Sequence, residues 1–436
     1  MNNNSLSLRG EELASNPARV DMELFFEASQ NLYCPETNPD GAFLLNVAEN
    51  HLMSGYIKKE LTDITLNSSI PDWVLNYTDP SGHPEVRETI ALFMEKHLCK
   101  CPIHPDTIGF SAGAAAIIEI SSFILADKGE VVVIPSPSYP VYTGDIGIKS
   151  GLERYDLQTH FHIEETGSAA PVTIPILEKA KTDLVAKGKQ FKILLITSPD
   201  NPTGCMYGEG QLRELANWCI KNEVHMVVNE IYAFSQIDTS DDLISIDYKE
   251  DVKYSSFANV MKDLHSDYLH LWYGLSKDFA MSGLRFGIVH SLNQDFMNAF
   301  RNGNIPHMVS NHTQWMIGEL FKRNDFLEDY IQENKKQVTT SYKEVVKTLK
   351  KIGVPYVPAR GSLFIWTDLS KYLKEDTDQG QEDLWISIYK NTGVLLTPGA
   401  GFGHQKKGLF RIVHSALPTS HLKVAMEKLE RYLLAQ

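Results

Sequence analysis

The sequence predicts an α/β fold, a mostly parallel sheet covered by helices on both faces with a smaller α+β domain attached. Three observations predict it. From about residue 84 to residue 290, short apolar runs alternate with helical patterns. Each run is continuously apolar, as strands buried on both faces are, and does not alternate as a half-exposed strand would. Beyond residue 300 the texture changes to a long polar helix followed by isolated strands and amphipathic helices.

Taken in order, residues 1–50 carry weak pattern and read as an N-terminal segment that packs on the small domain or on a partner subunit. Residues 51–300 form the large domain and 301–436 the small C-terminal one. Val86, Ile90, Phe93 and Met94 share one face of a helix. The runs Val131–Ile134, Ile193–Ile196 and Val224–Val228 are strands, each bounded by Pro, Ser, Asn or charged residues. A long helix from about Phe326 to Lys351 turns Leu327, Tyr330, Ile331, Val338 and Val345 inward. A strand over Gly361–Leu369, a helix near Asp383–Lys390, a strand around Leu409–Val413 and a terminal amphipathic helix complete the chain.

Composition narrows the partners. With 436 residues, 43 % apolar and 22 % charged, the chain has the balance of an ordinary globular protein. The net charge of −14 argues against a nucleic-acid backbone or an anionic membrane as partner. Any phosphate bound here is therefore held by a local site and not by a general basic field. Met1 to Ala14 lack the apolar core of a signal peptide, and no apolar run is long enough to span a bilayer. Five cysteines fit reduced thiols better than a disulfide framework, and a cytoplasmic location is expected.

Four features carry chemistry, and in such sheets ligands bind at the carboxyl ends of strands. Ser198-Pro199-Asp200-Asn201-Pro202-Thr203-Gly204 follows a strand and presents a side-chain amide between two turn formers, or is simply a turn. Val227-Val228-Asn229-Glu230-Ile231-Tyr232 is a second strand running into polar residues. In Tyr273-Gly274-Leu275-Ser276-Lys277-Asp278, followed by Ser282-Gly283-Leu284-Arg285, a Lys stands next to a hydroxyl with an Arg a few residues on. That set suits an aldehyde cofactor with a phosphate: the amine forms a Schiff base while hydroxyl and guanidinium take phosphate oxygens. Arg411, inside the apolar run Gly408-Leu409-Phe410-Arg411-Ile412-Val413, either faces inward to an anion such as a substrate carboxylate or faces outward to water.

Together these stretches resemble the fold type I pyridoxal 5′-phosphate enzymes of the aminotransferase class I/II family, over nearly the whole chain. They are most similar to its 1-aminocyclopropane-1-carboxylate (ACC) synthase-like branch. Val47-Ala48-Glu49-Asn50-His51-Leu52, Ser276 through Gly287 and Gly361-Ser362-Leu363-Phe364-Ile365-Trp366 carry the likeness. The resemblance implies Lys277 as the Schiff-base lysine and the base that moves the Cα proton, with Arg285 and Ser276 as phosphate ligands. It implies Gly113, Ala114 and Ala115 as the loop offering backbone N–H groups at a helix N-terminus to that phosphate. Tyr139 then stacks on the pyridine ring, Asn201 and Tyr232 share its hydroxyl oxygen, and Asn229 faces the ring nitrogen. Arg411 grips the substrate α-carboxylate and Glu49 lies near the substrate. The implied activity proceeds through an external aldimine of an L-α-amino acid and Cα deprotonation, most simply transamination. A lyase or β/γ-substitution reaction, on S-adenosylmethionine for instance, is the alternative, and a non-catalytic cofactor-binding homologue is the third. A small amino acid as substrate and a homodimer are the implied partners.

The sequence departs from the family pattern at several points. Asn229 stands where the family has an aspartate whose charge keeps the pyridine nitrogen protonated and the carbanion sink strong. An amide supplies a hydrogen bond but no charge, so the ring pKa is expected to fall. Pro80 stands where ACC synthases carry a tyrosine, which argues against the cyclopropane-forming reaction. Gly274 and Ala115 replace hydroxyl residues, removing phosphate bonds worth about 1 kcal/mol each. His97, Cys99, Cys101 and His104 lack metal-ligand spacing, and no metal is expected. His160 and His162 read as a solvated pair. Gly399-Ala400-Gly401-Phe402-Gly403 does not open a βαβ unit and reads as a flexible connection near the substrate entrance.

Overall fold

A computed structural model describes residues 5–15, 19–159, 172–248 and 252–436. His160 and His162 lie outside the described residues. The N-terminal segment holds α1 (Leu8–Ser15), α2 (Met22–Ser29) and the short strand β1 (Phe43–Leu44). Next come α3 (Ser54–Asn67), α4 (Pro84–Phe93), β2 (Ile108–Ala112), α5 (Ala114–Leu125), β3 (Val131–Ser136) and α6 (Tyr142–Gly147). The middle of the chain alternates β4 (Glu153–Gln158), α7 (Ile174–Ala186), β5 (Phe191–Thr197), α8 (Glu209–Lys221), β6 (His225–Asn229), α9 (Phe257–Leu264) and β7 (Leu269–Gly274). After β8 (Phe286–Ser291) follow α10 (Gln294–Gly303), α11 (Asn311–Phe321) and the 28-residue α12 (Asn324–Lys351). The last part comprises β9 (Phe364–Asp368), α13 (Asp378–Thr392), β10 (Val394–Leu395), β11 (Thr397–Pro398), β12 (Leu409–Val413) and α14 (Thr419–Leu434).

Seven strands form the main sheet in the order β2-β8-β7-β6-β5-β3-β4. All run parallel except β8, which is antiparallel to both β7 and β2. The apolar runs are buried along their length because helices cover both faces. Every residue of β7 and β8 is buried. On α4, Val86, Ile90 and Phe93 all turn inward, and Met94 continues that face beyond the helix end. The helical geometry loosens over Met94–Cys99, where Cys99 and Cys101 are buried and His97 stacks on Phe93 at 5.7 Å. Among the described residues, no group of His, Cys, Asp and Glu is arranged to hold a metal ion, and no helix is long and apolar enough to cross a membrane.

The smaller sheet is antiparallel, in the order β11-β12-β9, and packs with α12, α13 and α14. Leu327, Tyr330, Val338 and Val345 of α12 are buried, and Ile331 partly so. The N-terminal segment joins this part of the molecule, since β1 pairs in parallel with β10, Phe43 opposite Val394. Ala28, Phe43 and Leu45 lie in one apolar cluster with Val338, Ile388 and Leu429. The glycine-rich run at 399–403 differs from its expectation. Phe402 is fully buried against Trp366 (ring centroids 5.2 Å apart), and its carbonyl accepts the backbone N–H of Ser138 and the Ser136 hydroxyl. That run is a packed wall; glycine at 401 and 403 meets the positive φ the turn needs (+86° and +76°).

Candidate active site

Strands β2, β3, β5, β6 and β7 end at one edge of the sheet, and antiparallel β8 begins there. A cavity of about 180 Å³ at this edge is lined by Ala114 and Ala115 (after β2), Tyr139 (after β3), Asn201 (after β5), Asn229 and Tyr232 (end of β6), Ser276 and Lys277 (after β7), and Arg285 (before β8). Arg411 enters from β12 of the smaller sheet and also lines it. Gly113 sits one residue before α5. Glu49 does not line the cavity; it stands at the rim, where Ser282 Oγ donates to its carboxylate at 2.9 Å and His51 Nε2 contacts it at 2.9 Å. The His51 contact leads in lowering the Glu49 carboxyl to about 2.

Each side chain is held by its element. Lys277 leaves β7 on a turn anchored by Asp278, whose carboxylate accepts the Phe234 backbone N–H (2.9 Å), the Ser235 hydroxyl (2.7 Å) and the Tyr273 hydroxyl (3.2 Å). The Lys277 amine donates to the Ala48 carbonyl at 2.6 Å. Burial, with added repulsion from Arg411 and Arg285, lowers its pKa to about 8, although Glu49 pulls the other way. Asn201 is fixed by the turn whose Asp200 carboxylate accepts the Thr203 hydroxyl at 2.6 Å. Gly204 closes that turn at φ +68°, where a Cβ would lie 2.3 Å from the Ala359 Cβ.

Arg411 is 3 % exposed and has no carboxylate partner among the described residues. Its guanidinium donates to Asn201 Oδ1 (2.9 Å), the Asn46 carbonyl (2.7 Å) and Thr397 Oγ1 (3.2 Å), while Nε is buried without a partner. It lies 4.5 Å from the Phe364 ring centroid and 5.4 Å from that of Phe402. Burial lowers its pKa to about 10. A buried cation with an unfilled donor is an incomplete anion site.

The other end of the cavity fits a phosphate. The first N–H groups of α5 have no intrahelical acceptor, and the helix dipole adds to their pull on an anion. Gly113 has φ +91°, and a Cβ there would lie 2.3 Å from Arg285 Nη2. A Cβ on Gly287 would lie 2.5 Å from the Gly113 carbonyl carbon. Both glycines therefore let backbone and guanidinium close around a small tetrahedral group. Gly274 has a similar cause: a Cβ would sit 3.3 Å from the Phe286 carbonyl oxygen. With a buried amine, a phosphate cradle and an aromatic wall, the residues present fit pyridoxal 5′-phosphate.

The structure adds lining residues that the sequence motifs left out. Tyr142 donates or accepts at Thr197 Oγ1 (2.8 Å) and accepts from Asn229 Nδ2 (2.9 Å). Its signal was its position one helical turn past Tyr139 (ring centroids 5.3 Å apart). Arg19, from the weakly patterned N-terminal segment, lines the cavity while paired with buried Asp21, and had no sequence signal. Asp145 and Ile118 complete the wall. A wider cleft of about 760 Å³ beside α12 holds none of these residues; its Lys96 is already paired with Glu328 at 2.6 Å.

Comparison with known proteins shows the family and the fold. ACC synthase 6 of Arabidopsis thaliana is 26 % identical over 430 residues, covering 96 % of this chain and 84 % of that protein. A mouse (Mus musculus) protein named as a probable inactive ACC synthase-like protein 2 is 28 % identical over 409 residues, covering 92 % and 68 %. The structure of aspartate aminotransferase from Thermus thermophilus with maleate superposes with a TM-score of 0.78 at 18 % identity, over 98 % of this chain and 99 % of that one. The family model for aminotransferase class I and II matches residues 46–429. The chain belongs to the aminotransferase class I and II family, a family of pyridoxal 5′-phosphate enzymes.

Proposed function

We propose that this protein acts on an L-α-amino acid, holding its carboxylate on Arg411 and moving its Cα proton with Lys277, most simply as an aminotransferase. The observation that carries this reading is the shared cavity: a buried amine of lowered pKa and a buried guanidinium without a carboxylate open onto the same 180 Å³. Bound pyridoxal 5′-phosphate supplies an electron-withdrawing ring that stabilises a carbanion at Cα. The α5 N-terminus, Ser276 and Arg285 would hold the phosphate, Tyr139 would cover the ring, and Asn201 and Tyr232 would hold its hydroxyl. Arg411 would draw the substrate carboxylate into the cavity by its charge and so fix which face of Cα meets Lys277. An amine of pKa about 8 is neutral roughly a tenth of the time at pH 7, far more often than an unshifted lysine, and proton abstraction requires the neutral form.

Glu49 favours a second reading. Its carboxylate is held ionised at the rim by His51 and Ser282, within reach of a positively charged substrate group. That suits an ACC synthase-like elimination or substitution on a substrate such as S-adenosylmethionine. Incubating the protein with pyridoxal 5′-phosphate and a panel of amino acids separates the readings. Conversion of cofactor to pyridoxamine phosphate supports transamination, and a released elimination product supports the lyase. No reaction with any amino acid would leave a cofactor-binding homologue, the reading that Asn229 motivates. Leu66, Ile70, Leu75 and Tyr77 are exposed within one stretch, which supports a homodimer through that face; a monomer in sedimentation would count against it.

A further inference from the structure

The cavity that Asn229 lines has a carboxylate of its own. The backbone N–H of Ile231 donates to Asn229 Oδ1 at 3.2 Å, so the amide is fixed with its NH2 group turned to Tyr142. Asn229 therefore presents a donor, and a donor facing a ring nitrogen favours the unprotonated ring. On α6, one turn beyond Tyr142, Asp145 lines the same cavity with Ile118 and Thr197. Its Oδ2 is buried and has no hydrogen-bond partner among the described residues. The charged and titratable groups around it are Tyr139 and Tyr142, whose phenols its charge disfavours ionising, and Glu119 of α5. Glu119 is itself engaged by Lys149 (2.8 Å) and His307 (2.9 Å), and among the described residues no cation is paired with Asp145. A buried carboxylate oxygen without a donor is costly, and a cationic ligand group in the cavity would complete it.

We propose that Asp145 supplies, from the α6 wall, the negative charge that holds the cofactor's ring nitrogen protonated in place of the aspartate missing at position 229. The inference rests on the cofactor reading above. Burial raises the Asp145 carboxyl to about 7, so in the protein alone it carries a proton for much of the time near neutrality. On cofactor binding that proton passes to the ring nitrogen: the O–H bond breaks, an N–H bond forms, and a carboxylate faces a pyridinium with no net proton uptake. The amide of Asn229 then serves Tyr142 instead of the ring.

The test is the ¹⁵N NMR resonance of pyridoxal 5′-phosphate labelled at the ring nitrogen and bound to wild type, Asp145→Asn, Asn229→Asp and the double variant at pH 7. The expected result is a protonated-ring shift in wild type, movement toward the neutral position in Asp145→Asn, and return to the protonated shift in the double variant. A neutral ring in wild type, or a resonance unmoved by Asp145→Asn, overturns the proposal. Borohydride reduction of the same samples, with mass spectrometry of the Lys277 peptide, keeps the two readings apart. Absence of a cofactor link in wild type sinks the cofactor reading and this proposal together; a link with an unmoved resonance sinks this proposal alone. Restoration by the double variant also excludes misfolding of Asp145→Asn as the cause of its shift.

Discussion

Arg411 Nη1 donates to Asn201 Oδ1 at 2.9 Å, joining β12 of the smaller sheet to the turn after β5 of the larger one. The bond crosses 210 positions of sequence, and Nε is left buried with no partner among the described residues. Arg411→Ala is expected to weaken binding of an amino acid or a dicarboxylate such as maleate by about 2–5 kcal/mol, roughly 30-fold or more. Titrating the absorbance change on ligand addition measures it. Cofactor affinity is expected to change far less, because the phosphate cradle lies at the other end. Equal losses in both would show that Arg411 organises the whole cavity and does not serve the carboxylate in particular.

Formation of the link between Lys277 and the cofactor requires the neutral amine. Burial lowers this amine from 10.5 to about 8, which raises its neutral fraction at pH 7 by about 300-fold over an unshifted lysine. The rate at which the cofactor-free protein takes up pyridoxal 5′-phosphate should therefore rise with pH and level off above about 8. Stopped-flow absorbance between pH 6 and 10 follows this directly. A rate still climbing at pH 10 would contradict the lowered amine.

Gly113 is required by geometry on two counts, its φ of +91° and the 2.3 Å approach of Arg285 to where a Cβ would stand. Gly113→Ala costs about 1–3 kcal/mol in backbone strain, and the methyl group displaces the guanidinium. The dissociation constant for pyridoxal 5′-phosphate is expected to rise about 5- to 150-fold. Because the damage is to phosphate holding, inorganic phosphate should also lose its ability to compete with the cofactor in the variant. Unchanged competition would place the phosphate elsewhere.

Thiol accessibility follows from packing. Cys99, Cys101, Cys205 and Cys219 are buried and Cys34 alone is partly exposed, and no disulfide joins any of the five. A thiol reagent is expected to label one cysteine rapidly in the native protein and five after denaturation, counted by mass spectrometry. Rapid labelling of Cys99 or Cys205 would show that the core around them opens.

What the sequence made legible tracks what is local. Continuous runs such as Val131–Ile134 announce strands because burial on both faces leaves no polar face to alternate with. Lys277, Asn201 and Arg411 stood out as polar groups at strand ends or inside apolar strands. Tyr142 and Asp145 did not, because their neighbours on the cavity wall are distant in sequence and a six-residue helix carries almost no periodicity. Arg19 was invisible for the same reason, reaching the cavity only through contacts with Asp21 and Asn46. Gly399–Gly403 misled in the other direction. Glycine there meets turn geometry and close packing against Leu409 and Asp156, and such demands look like flexibility in a one-dimensional reading.

Glu230, next to Asn229 but turned away from the cavity, is 1 % exposed and accepts from Tyr254 (2.7 Å), Ser256 (2.8 Å) and the Phe257 backbone N–H (2.6 Å). Burial outweighs these bonds and raises its carboxyl from 4.5 to about 7. The folded state thus binds more protons than the unfolded chain between those values, and stability falls as pH rises through that window. The loss is complete above about pH 7 and is on the order of 3 kcal/mol. Glu230→Gln removes the titration while keeping size and hydrogen-bonding capacity. Between pH 5 and pH 8, wild type should therefore lose stability relative to the variant, read from denaturant midpoints measured side by side. The comparison cancels the opposite contributions of His225 and His290, whose burial lowers them to about 4 in both proteins. If the two proteins kept a constant gap across that range, Glu230 would have to be ionised throughout, held by its three donors against the cost of burial.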